Sequence, residues 1–363
     1  MGNCVSGPSG GAPAAYAAPD PSQGACAPGR LARPHSGEMV LGVAAAGARE
    51  LLSCADDGGV ALWSWGNAGG CRVLERWAGH RKSATAVKYL RRAEAAVTAS
   101  RDTTVKLWRR GAAEPLASLE GHAMAVNALA VSADERLAVS GSRDYQVKVW
   151  DLEASKAAAS SKVSRNIVTA VEFLPSEPFL VAQGSEDLSV KVWDTRAMRS
   201  PAQTLRAEGV ANIPLSLAAC EDGAHIAAGS KGFDGVGCEM VWWDRRTASV
   251  ECALRGHSMA VTATRCHGGA GGAPPCVTTA STDTTLRVWD VHKRECVASA
   301  TMQTPGPKRP LCALAAIRAG EGLPDDSPHA HGVVVADVDG DMSIYGLDVV
   351  EGSLTELASS AQG

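Results

Sequence analysis

The sequence predicts an all-β fold assembled from copies of one short unit. Segments such as TAVKYL and TVKLW alternate apolar and polar residues with a period of two, which is typical of half-buried strands. Clusters of Gly, Asp and Ser separate these segments every 8 to 12 residues, as tight turns require. An Asp six positions before an aromatic residue recurs along the chain. The pairs are Asp57/Trp63, Asp102/Trp108, Asp144/Trp150, Asp187/Trp193, Asp283/Trp289 and Asp339/Tyr345.

The spacing of these Asp residues predicts seven units. Successive steps are 45 (57 to 102), 42 (102 to 144) and 43 (144 to 187), but the next step, 187 to 283, is 96, about twice as long. A degenerate unit therefore lies in between. Gly232 occupies its turn position, followed by the insertion GFDGVGCE and the doubled Trp242 and Trp243. Repeats of this length bury one continuous core across many units, so a single large domain is expected.

A His precedes the turn Asp in most units. His35, His80 and His122 lie 22 residues before it, and His257 lies 26 before because the loop GGAGGAPP intervenes. Arg165 occupies this position in the fourth unit. With G-H at 79–80, 121–122 and 256–257 and V-W-D at 149–151, 192–194 and 288–290, the chain resembles the WD-repeat family.

The resemblance implies a seven-bladed WD-repeat β-propeller over residues 35–358, with a disordered leader at 1–34 and a tail at 359–363. The leader is almost entirely Gly, Pro, Ala and Ser from residue 7, a composition that cannot offset the entropy of ordering. We expect the C-terminal segment LDVVEGSLTELAS, rather than RLARP, to supply the outer strand of the seventh blade, because Pro is a poor strand former.

The family places His, Ser or Thr, Asp and Trp in one hydrogen-bonded network per blade. The hydroxyl could come from Thr98 or Ser100 in the second unit, and from Ser140 or Ser142 in the third. The residues implied to hold the blades are His35, Asp57, Trp63, His80, Asp102, Trp108, His122, Asp144, Trp150, Asp187, Trp193, His257, Asp283 and Trp289. The second, third and sixth units carry the full set.

Composition and motifs argue against several functions. The net charge of -4 predicts no general attraction to nucleic acid. No run of 18 apolar residues and no secretory signal occurs, so we expect a cytoplasmic protein. Eleven cysteines without a C-x-x-C pair favour reduced thiols. No nucleophile, phosphate-binding or metalloprotease motif occurs, so we expect no enzyme, no cofactor, no metal site and no small-molecule substrate.

The N-terminal MGNCVS predicts a membrane tether. It fits the pattern for N-myristoylation through Gly2 and Ser6, and Cys4 is a neighbouring candidate for palmitoylation. A single myristoyl chain binds membranes only marginally, and a second acyl chain makes the attachment stable. The alternative is an unmodified N-terminus.

Two sets of charged residues are candidate contacts for protein partners. The W-D-x-R sequences ending at Arg196 and Arg246 are similar to paired motifs in WD-repeat substrate receptors of cullin-RING ubiquitin ligases, where the arginines contact an adaptor subunit. The family places the residue before each turn Asp on its narrower face, which puts Arg101, Arg143 and Glu186 there, joined by Arg165. Solvated arginines paired with local carboxylates are the alternative interpretation of both sets.

A closer resemblance covers most of the predicted propeller. GHAMAVNALAVS, then VSRNIVTAVEFLPSEPFL, then GFDGVGCEMVWWDRR match in order and spacing a vertebrate WD-repeat family that is linked to cilia and has no assigned catalytic activity. The resulting hypothesis is a membrane-associated scaffold for protein–protein interaction, with a ciliary location implied by the resemblance. A substrate receptor of a ubiquitin ligase is the second hypothesis.

Overall fold

The computed structural model describes most of the chain from His35 onward. The described residues are 35, 37–47, 49–66, 70–162, 166–206, 212–268, 275–302, 309–318, 331–348 and 353–359. Gly2, Cys4, Arg165 and the predicted leader lie outside them.

The described residues form 28 strands and no helix. Sheet 1 comprises β1 (Val40–Gly47), β2 (Glu50–Ala55), β3 (Gly59–Gly66) and β4 (Gly70–Ala78), and sheet 2 comprises β5 (Ala84–Leu90), β6 (Ala95–Ser100), β7 (Val105–Arg109) and β8 (Ala117–Leu119). Sheet 3 comprises β9 (Val126–Val131), β10 (Leu137–Ser142), β11 (Gln146–Asp151) and β12 (Lys156–Lys162). Sheet 4 comprises β13 (Val168–Leu174), β14 (Glu177–Ser185), β15 (Val190–Asp194) and β16 (Gln203–Leu205). Sheet 5 comprises β17 (Pro214–Ala219), β18 (His225–Ser230), β19 (Met240–Asp244) and β20 (Ser249–Leu254). Sheet 6 comprises β21 (Val261–His267), β22 (Cys276–Ser281), β23 (Thr285–Asp290) and β24 (Glu295–Thr301). Sheet 7 comprises β25 (Leu311–Arg318), β26 (His331–Asp337), β27 (Met342–Asp348) and β28 (Ser353–Ser359).

Each sheet is an antiparallel meander of four strands that follow one another in the chain. The seven sheets confirm the predicted seven-bladed propeller. β28 pairs with β27, so a C-terminal strand completes sheet 7, and it extends to Ser359, one residue past the predicted propeller boundary.

The antiparallel order gives the ring two distinct faces. The turn between the second and third strands of every sheet lies at one end of that sheet, together with the connection to the next sheet. We call this end the turn face. The loops between first and second strands and between third and fourth strands lie at the other end, the loop face.

Aromatic side chains seal the interfaces between sheets. The aromatic residue of each third strand packs toward the preceding sheet: Trp150, for example, lies among Val97 and Leu107 of sheet 2. The full set is Trp63, Trp108, Trp150, Trp193, Trp243, Trp289 and Tyr345. Burying one such side chain removes about 150–250 Å² from water, worth roughly 4–6 kcal/mol. Trp63 packs with Val334 and Ile344 of sheet 7, so apolar packing closes the ring.

Candidate functional site

A chain of hydrogen bonds runs through sheet 2 from the core to the turn face. Trp108 Nε1 donates to Thr98 Oγ1 at 2.8 Å, and His80 Nε2 lies 2.7 Å from the same hydroxyl. His80 Nδ1 lies 2.9 Å from Asp102 Oδ2. The indole, the hydroxyl and the imidazole are all buried, so each polar atom obtains inside the sheet a partner that water cannot supply.

The carboxylate of the turn Asp accepts hydrogen bonds from the backbone of two separate segments. Asp102 Oδ1 accepts the backbone N–H of Thr104 at 3.0 Å, and its Oδ2 accepts that of Arg81 at 2.9 Å, in the connection from sheet 1. Burial favours the neutral acid, but hydrogen bonds from His80 and Thr104 hold the pKa of Asp102 well below its usual range. The ionised carboxylate therefore fixes the turn against the neighbouring connection.

Sheets 3 and 6 repeat this geometry. In sheet 3, Trp150 Nε1 donates to Ser140 Oγ at 2.7 Å, and His122 bridges Ser140 (2.7 Å) and Asp144 (2.8 Å). Burial lowers the pKa of His122 despite its bond to Asp144, so the ring is neutral at pH 7. Because a carboxylate only accepts, we infer that Nδ1 carries the hydrogen and Nε2 accepts from the serine hydroxyl.

Sheet 6 uses a threonine in the same place. His257 Nε2 lies 2.8 Å from Thr279 Oγ1 and its Nδ1 lies 2.8 Å from Asp283 Oδ2, while Trp289 Nε1 donates to Thr279 at 2.7 Å. Although burial opposes ionisation, the bonds from His257 and Thr285 lower the pKa of Asp283.

The structure resolves which hydroxyl belongs to the network. The residue four positions before the turn Asp, such as Thr98, bonds both the indole and the imidazole. The residue two positions before the turn Asp bonds the backbone instead, since Ser100 Oγ donates to the carbonyl of Lys82 at 3.0 Å and accepts the N–H of Asp102 at 3.0 Å. Ser142 makes the equivalent contacts in sheet 3.

Sheet 1 has a looser version of the network. His35 Nε2 lies 2.9 Å from Ser53 Oγ, and Trp63 Nε1 donates to that oxygen at 3.2 Å. The closest approach of His35 Nδ1 to Asp57 is 3.6 Å, longer than a hydrogen bond.

Sheet 4 replaces the histidine network with a lysine. Asp187 pairs with Lys191 and accepts hydrogen bonds from Ser185 and Ser189, which hold the pKa of the carboxyl at about 2 although burial opposes ionisation. Trp193 Nε1 donates to Gln183 Oε1 at 3.1 Å. The sequence pattern predicts Arg165 at the histidine position, but that residue lies outside the described part of the chain.

Sheets 5 and 7 lack the acceptor for the aromatic residue. The position four before the turn is Ala228 in sheet 5 and Val335 in sheet 7. Accordingly Trp243 Nε1 and the Tyr345 hydroxyl are buried without a hydrogen-bond partner among the described residues. At Gly232, the turn position of sheet 5, a Cβ would lie 2.3 Å from the carbonyl carbon of Gly237, because the insertion folds back onto the turn.

The predicted partner-binding residues are divided between the two faces. Arg101, Arg143 and Glu186 lie in turns between second and third strands, on the turn face. Arg196 and Arg246 directly follow the third strands of sheets 4 and 5, on the loop face. The two sets lie on opposite faces of the ring, so a single partner interface does not include both.

Arg101 is held by its neighbours on the turn face. Its guanidinium lies 3.3 Å from Asp56 Oδ1 and 3.3 Å from Ser83 Oγ, and Ser83 donates to the same carboxylate at 2.6 Å. Arg143 and Glu186 have exposed side chains, and their backbone N–H groups donate to Ala125 and Ile167.

The W-D-x-R arginines both pair with the Asp of their own motif. Arg196 donates through Nε and a terminal nitrogen to Asp194, at 3.0 and 2.7 Å, and its guanidinium stacks 4.4 Å from the Phe179 ring centre. Arg246 does the same to Asp244 at 3.2 and 3.1 Å. The arginine hydrogen bonds lower the pKa of both carboxyls. The arginine side chains remain 63% and 68% exposed, so a partner could still contact them.

A charged cluster in the central channel was not predicted from the sequence. The first strands of the sheets line a cavity of about 150 Å³ that contains Lys88, Glu172 and Arg265. Lys88 Nζ lies 3.6 Å from Glu172. Attraction to Glu172 is outweighed by burial and repulsion from Arg265, so the pKa of Lys88 is lowered. These residues come from three separate sheets, and only the closed ring brings them together.

Two other features bear on function. The described residues contain no group of three or more His, Cys, Asp or Glu that could hold a metal ion. They also contain no helix long and apolar enough to cross a membrane.

Comparison with known families identifies part of the repeat. Three segments match the WD domain, G-beta repeat family: residues 71–109, 113–151 and 160–194. The chain contains WD repeats. Two of these segments, the first and the third, begin in the outer strand of one sheet, β4 or β12, and end in the third strand of the next. The sequence repeat is thus staggered against the blade and ties adjacent blades together. Propellers of WD repeats are typically non-catalytic scaffolds for protein–protein interaction.

Proposed function

We propose that this chain is a non-catalytic scaffold that binds protein partners through the turn face of sheets 3 to 5. The observation that carries the proposal is the distribution of exposed apolar side chains. The large apolar residues with the highest exposure among those described are Leu116, Met124, Tyr145, Phe179, Leu188, Phe233 and Val236. All except Leu116 and Phe179 lie on the turn face, in sheets 3 to 5 or the connection into sheet 3. Exposed apolar surface concentrated on one face is characteristic of interaction sites.

Backbone conformation supports a functional role for two of these side chains. Tyr145 and Leu188 follow the turn Asp and have φ of 68° and 64°. Glycine takes this position in sheets 1 and 7, and the smaller threonine takes it in sheets 2 and 6. A large side chain in this left-handed conformation costs roughly 1–2 kcal/mol and gains little burial here. Both are 38% exposed, so their contribution to folding does not account for their presence.

The sheet 5 insertion presents two more apolar side chains on a rigid support. The backbone N–H groups of Phe233 and Val236 each donate to the carbonyl of the other at 3.0 Å, around the tight Asp-Gly turn. The N–H of Gly235 donates to Ser258 of the next connection at 2.8 Å. Phe233 and Val236 are 72% and 77% exposed. A preformed loop loses little entropy when a partner binds it.

A comparison of the two faces tests this proposal. Proteins near the intact chain would be identified by proximity labelling, then compared for a turn-face variant, Tyr145→Gly, Leu188→Gly and Phe233→Ser, and a loop-face control, Leu116→Ser. We expect the turn-face variant to lose specific partners and the control to keep them. Unchanged partners for a folded turn-face variant would contradict the proposal.

The scaffold is proposed to act at a membrane. The MGNCVS sequence supports acylation at Gly2 and Cys4, and two acyl chains there would hold the propeller near the bilayer. Fractionation of the Gly2→Ala and Cys4→Ser variants tests the tether. If both variants stay as membrane-associated as the parent chain, the tether is wrong.

A ciliary location rests on resemblance. The quoted segments of the third to fifth units resemble WD repeat-containing protein 31 of vertebrates, whose family also begins with Met-Gly. Fluorescence imaging of the tagged full-length chain in ciliated cells tests the location, with the Gly2→Ala variant as the control for tethering. Exclusion of the parent chain from cilia would refute it.

A ubiquitin-ligase substrate receptor is the alternative function. It is supported by Arg196 and Arg246, which occupy equivalent exposed positions of adjacent sheets on one face. Loss of adaptor co-purification in the Arg196→Ala plus Arg246→Ala variant is the required result. Arg101→Ala, on the turn face, is the matched control. An adaptor that co-purifies with neither the parent nor the control would exclude this function.

A further inference from the structure

A groove on the outside of the ring lies between sheets 3 and 4. It has a volume of about 600 Å³, within the range of about 300–1,000 Å³ typical of ligand sites. The residues 159–162 of β12 form one wall and the residues 196–199 that follow β15 form the other. Met198 is buried among apolar side chains of sheets 3 and 4, which fixes the second wall against the first. We call this feature the β12 groove.

The β12 wall offers a free strand edge. β12 is the last strand of sheet 3, and its outer edge pairs with no strand among the described residues. A bulge opposite Val149 and Trp150 interrupts its pairing with β11, but the register is regular from Ala159 to Lys162, the stretch that lines the groove. Its backbone groups are therefore spaced to accept another strand. β8 and β16, the outer strands of sheets 2 and 4, have only three residues each.

The part of the edge that lines the groove has little of the usual protection against strand addition. Natural edge strands carry charges, Pro or bulges that block pairing. In β12 the lysines stand only at the two ends, Lys156 and Lys162, and the residues between them are Ala and Ser. Small side chains allow a second backbone to approach within the spacing of about 4.8 Å that strand pairing requires.

The charge of the groove indicates the kind of segment that fits. Among the described residues, the ionisable ones that line it are Lys162, Arg196 and Arg199, all exposed, and none is acidic. Asp194 and Phe179 hold the Arg196 guanidinium in place. Within the described chain, neither the Lys162 nor the Arg199 side chain has an ion-pair partner. Unneutralised cations on both walls favour an anionic ligand.

We propose that an extended, acidic segment of another protein adds to β12 as a fifth strand of sheet 3. Backbone hydrogen bonds along residues 159–162 provide affinity, and carboxylates that face Lys162 and Arg199 provide specificity. Four residues of strand span about 13 Å, so the site reads a short motif. This surface is separate from the turn face, and its occupancy does not depend on the function proposed above.

Synthetic peptides test the proposal directly. The probe is a capped, fluorescein-labelled octapeptide of alternating Thr and Glu, and the control is its Thr-Lys counterpart. Fluorescence anisotropy with the full chain is expected to show binding of the Thr-Glu peptide only. Lys162→Glu plus Arg199→Glu should weaken it at least tenfold. Arg246→Glu, at the position in sheet 5 equivalent to Arg196, should leave it unchanged.

Backbone modification separates strand addition from simple charge attraction. N-methylation of alternate residues of the Thr-Glu peptide keeps its charge but removes half of its N–H donors, and we expect binding to be lost for one of the two methylation patterns. Undetectable binding at millimolar peptide, equal binding of both N-methylated forms, or no effect of the Lys162 and Arg199 substitutions would overturn the proposal. Dimerisation of the chain itself through Lys162 and Arg199, seen by sedimentation, would assign the groove to a second copy and also overturn it.

Discussion

Removing one hydroxyl from sheet 6 tests whether the polar network holds the blade. Thr279→Val keeps the branched shape of the side chain but removes the oxygen that bonds His257 and Trp289, at 2.8 and 2.7 Å. Both partner groups are buried, and Thr279 itself is 0% exposed, so water cannot replace the lost bonds. Each buried group left unpaired costs about 1–3 kcal/mol, which gives roughly 2–6 kcal/mol for the pair. This is a large part of the stability of a typical domain.

The adjacent residue provides a matched control. Thr278 lies in the same strand and is also 0% exposed, but its hydroxyl has no hydrogen-bond partner among the described residues. Thr278→Val therefore removes an unsatisfied polar atom, and we expect it to be neutral or slightly stabilising. The assay is urea unfolding of both variants, followed by far-UV circular dichroism and tryptophan fluorescence. Equal shifts of the unfolding midpoint for the two variants would refute the role assigned to the network.

Two further predictions concern pH and the sheet 5 insertion. Burial lowers the pKa of His267 to about 3, from an ordinary value of 6.5. Between these two pH values the unfolded chain binds a proton that the folded chain does not, so the unfolding free energy falls as the pH decreases. Between pH 6.5 and pH 5 the unfolding free energy falls by about 2 kcal/mol. Urea unfolding of His267→Leu at these two pH values should show a smaller fall in the unfolding free energy. Gly237→Ala places a Cβ 2.3 Å from the Asn212 amide, whereas Gly235→Ala meets open space at a similar φ. Amide hydrogen exchange in the Phe233–Val236 turn should accelerate more in Gly237→Ala than in Gly235→Ala. Equal acceleration in the two variants would contradict the rigid support assigned to this turn.

The spacing of turn Asp and aromatic residue predicted the number of sheets because both are local requirements of a tight turn and a strand. Six residues separate the two positions in every unit that has them, since the turn and the third strand have constant length. The same local pattern anticipated the degenerate sheet at Gly232. It also favoured the C-terminal strand for sheet 7, where Pro in the competing segment is unsuited to a strand.

Contacts between distant segments were beyond the same reasoning. A period of two assigns side chains to a face but not to a partner, so Thr98 and Ser100, which share a face of β6, could not be distinguished. The replacement of the histidine network by Lys191 and Gln183 in sheet 4 follows no repeat pattern. Bulges were also unforeseen. Five pairings of third and fourth strands shift register at the aromatic residue of the third strand.

The residue four positions before the turn determines whether the aromatic side chain of a sheet has a hydrogen-bond acceptor. This relation predicts a stabilising substitution. Ser, Thr or Gln there accepts the indole N–H in sheets 1 to 4 and 6, and Ala228 in sheet 5 leaves Trp243 Nε1 without a partner in the part of the chain that the structure describes. Ala228→Ser should supply the missing acceptor, as Ser140 does in sheet 3, and raise the unfolding free energy by about 1 kcal/mol.

Ala227→Ser is the control for this substitution. Ala227 is also buried, and it lies one residue away on the opposite side of the strand. Ala227→Ser therefore puts a hydroxyl on the face of the strand opposite the Trp243 indole, at a cost of about 1–3 kcal/mol. Thermal unfolding of both variants distinguishes the cases, because a general intolerance of serine in this strand would lower both midpoints. Opposite shifts would show that this one position determines whether the aromatic residue of a blade is bonded, and equal losses would show that sheet 5 is too tightly packed to accept the bond.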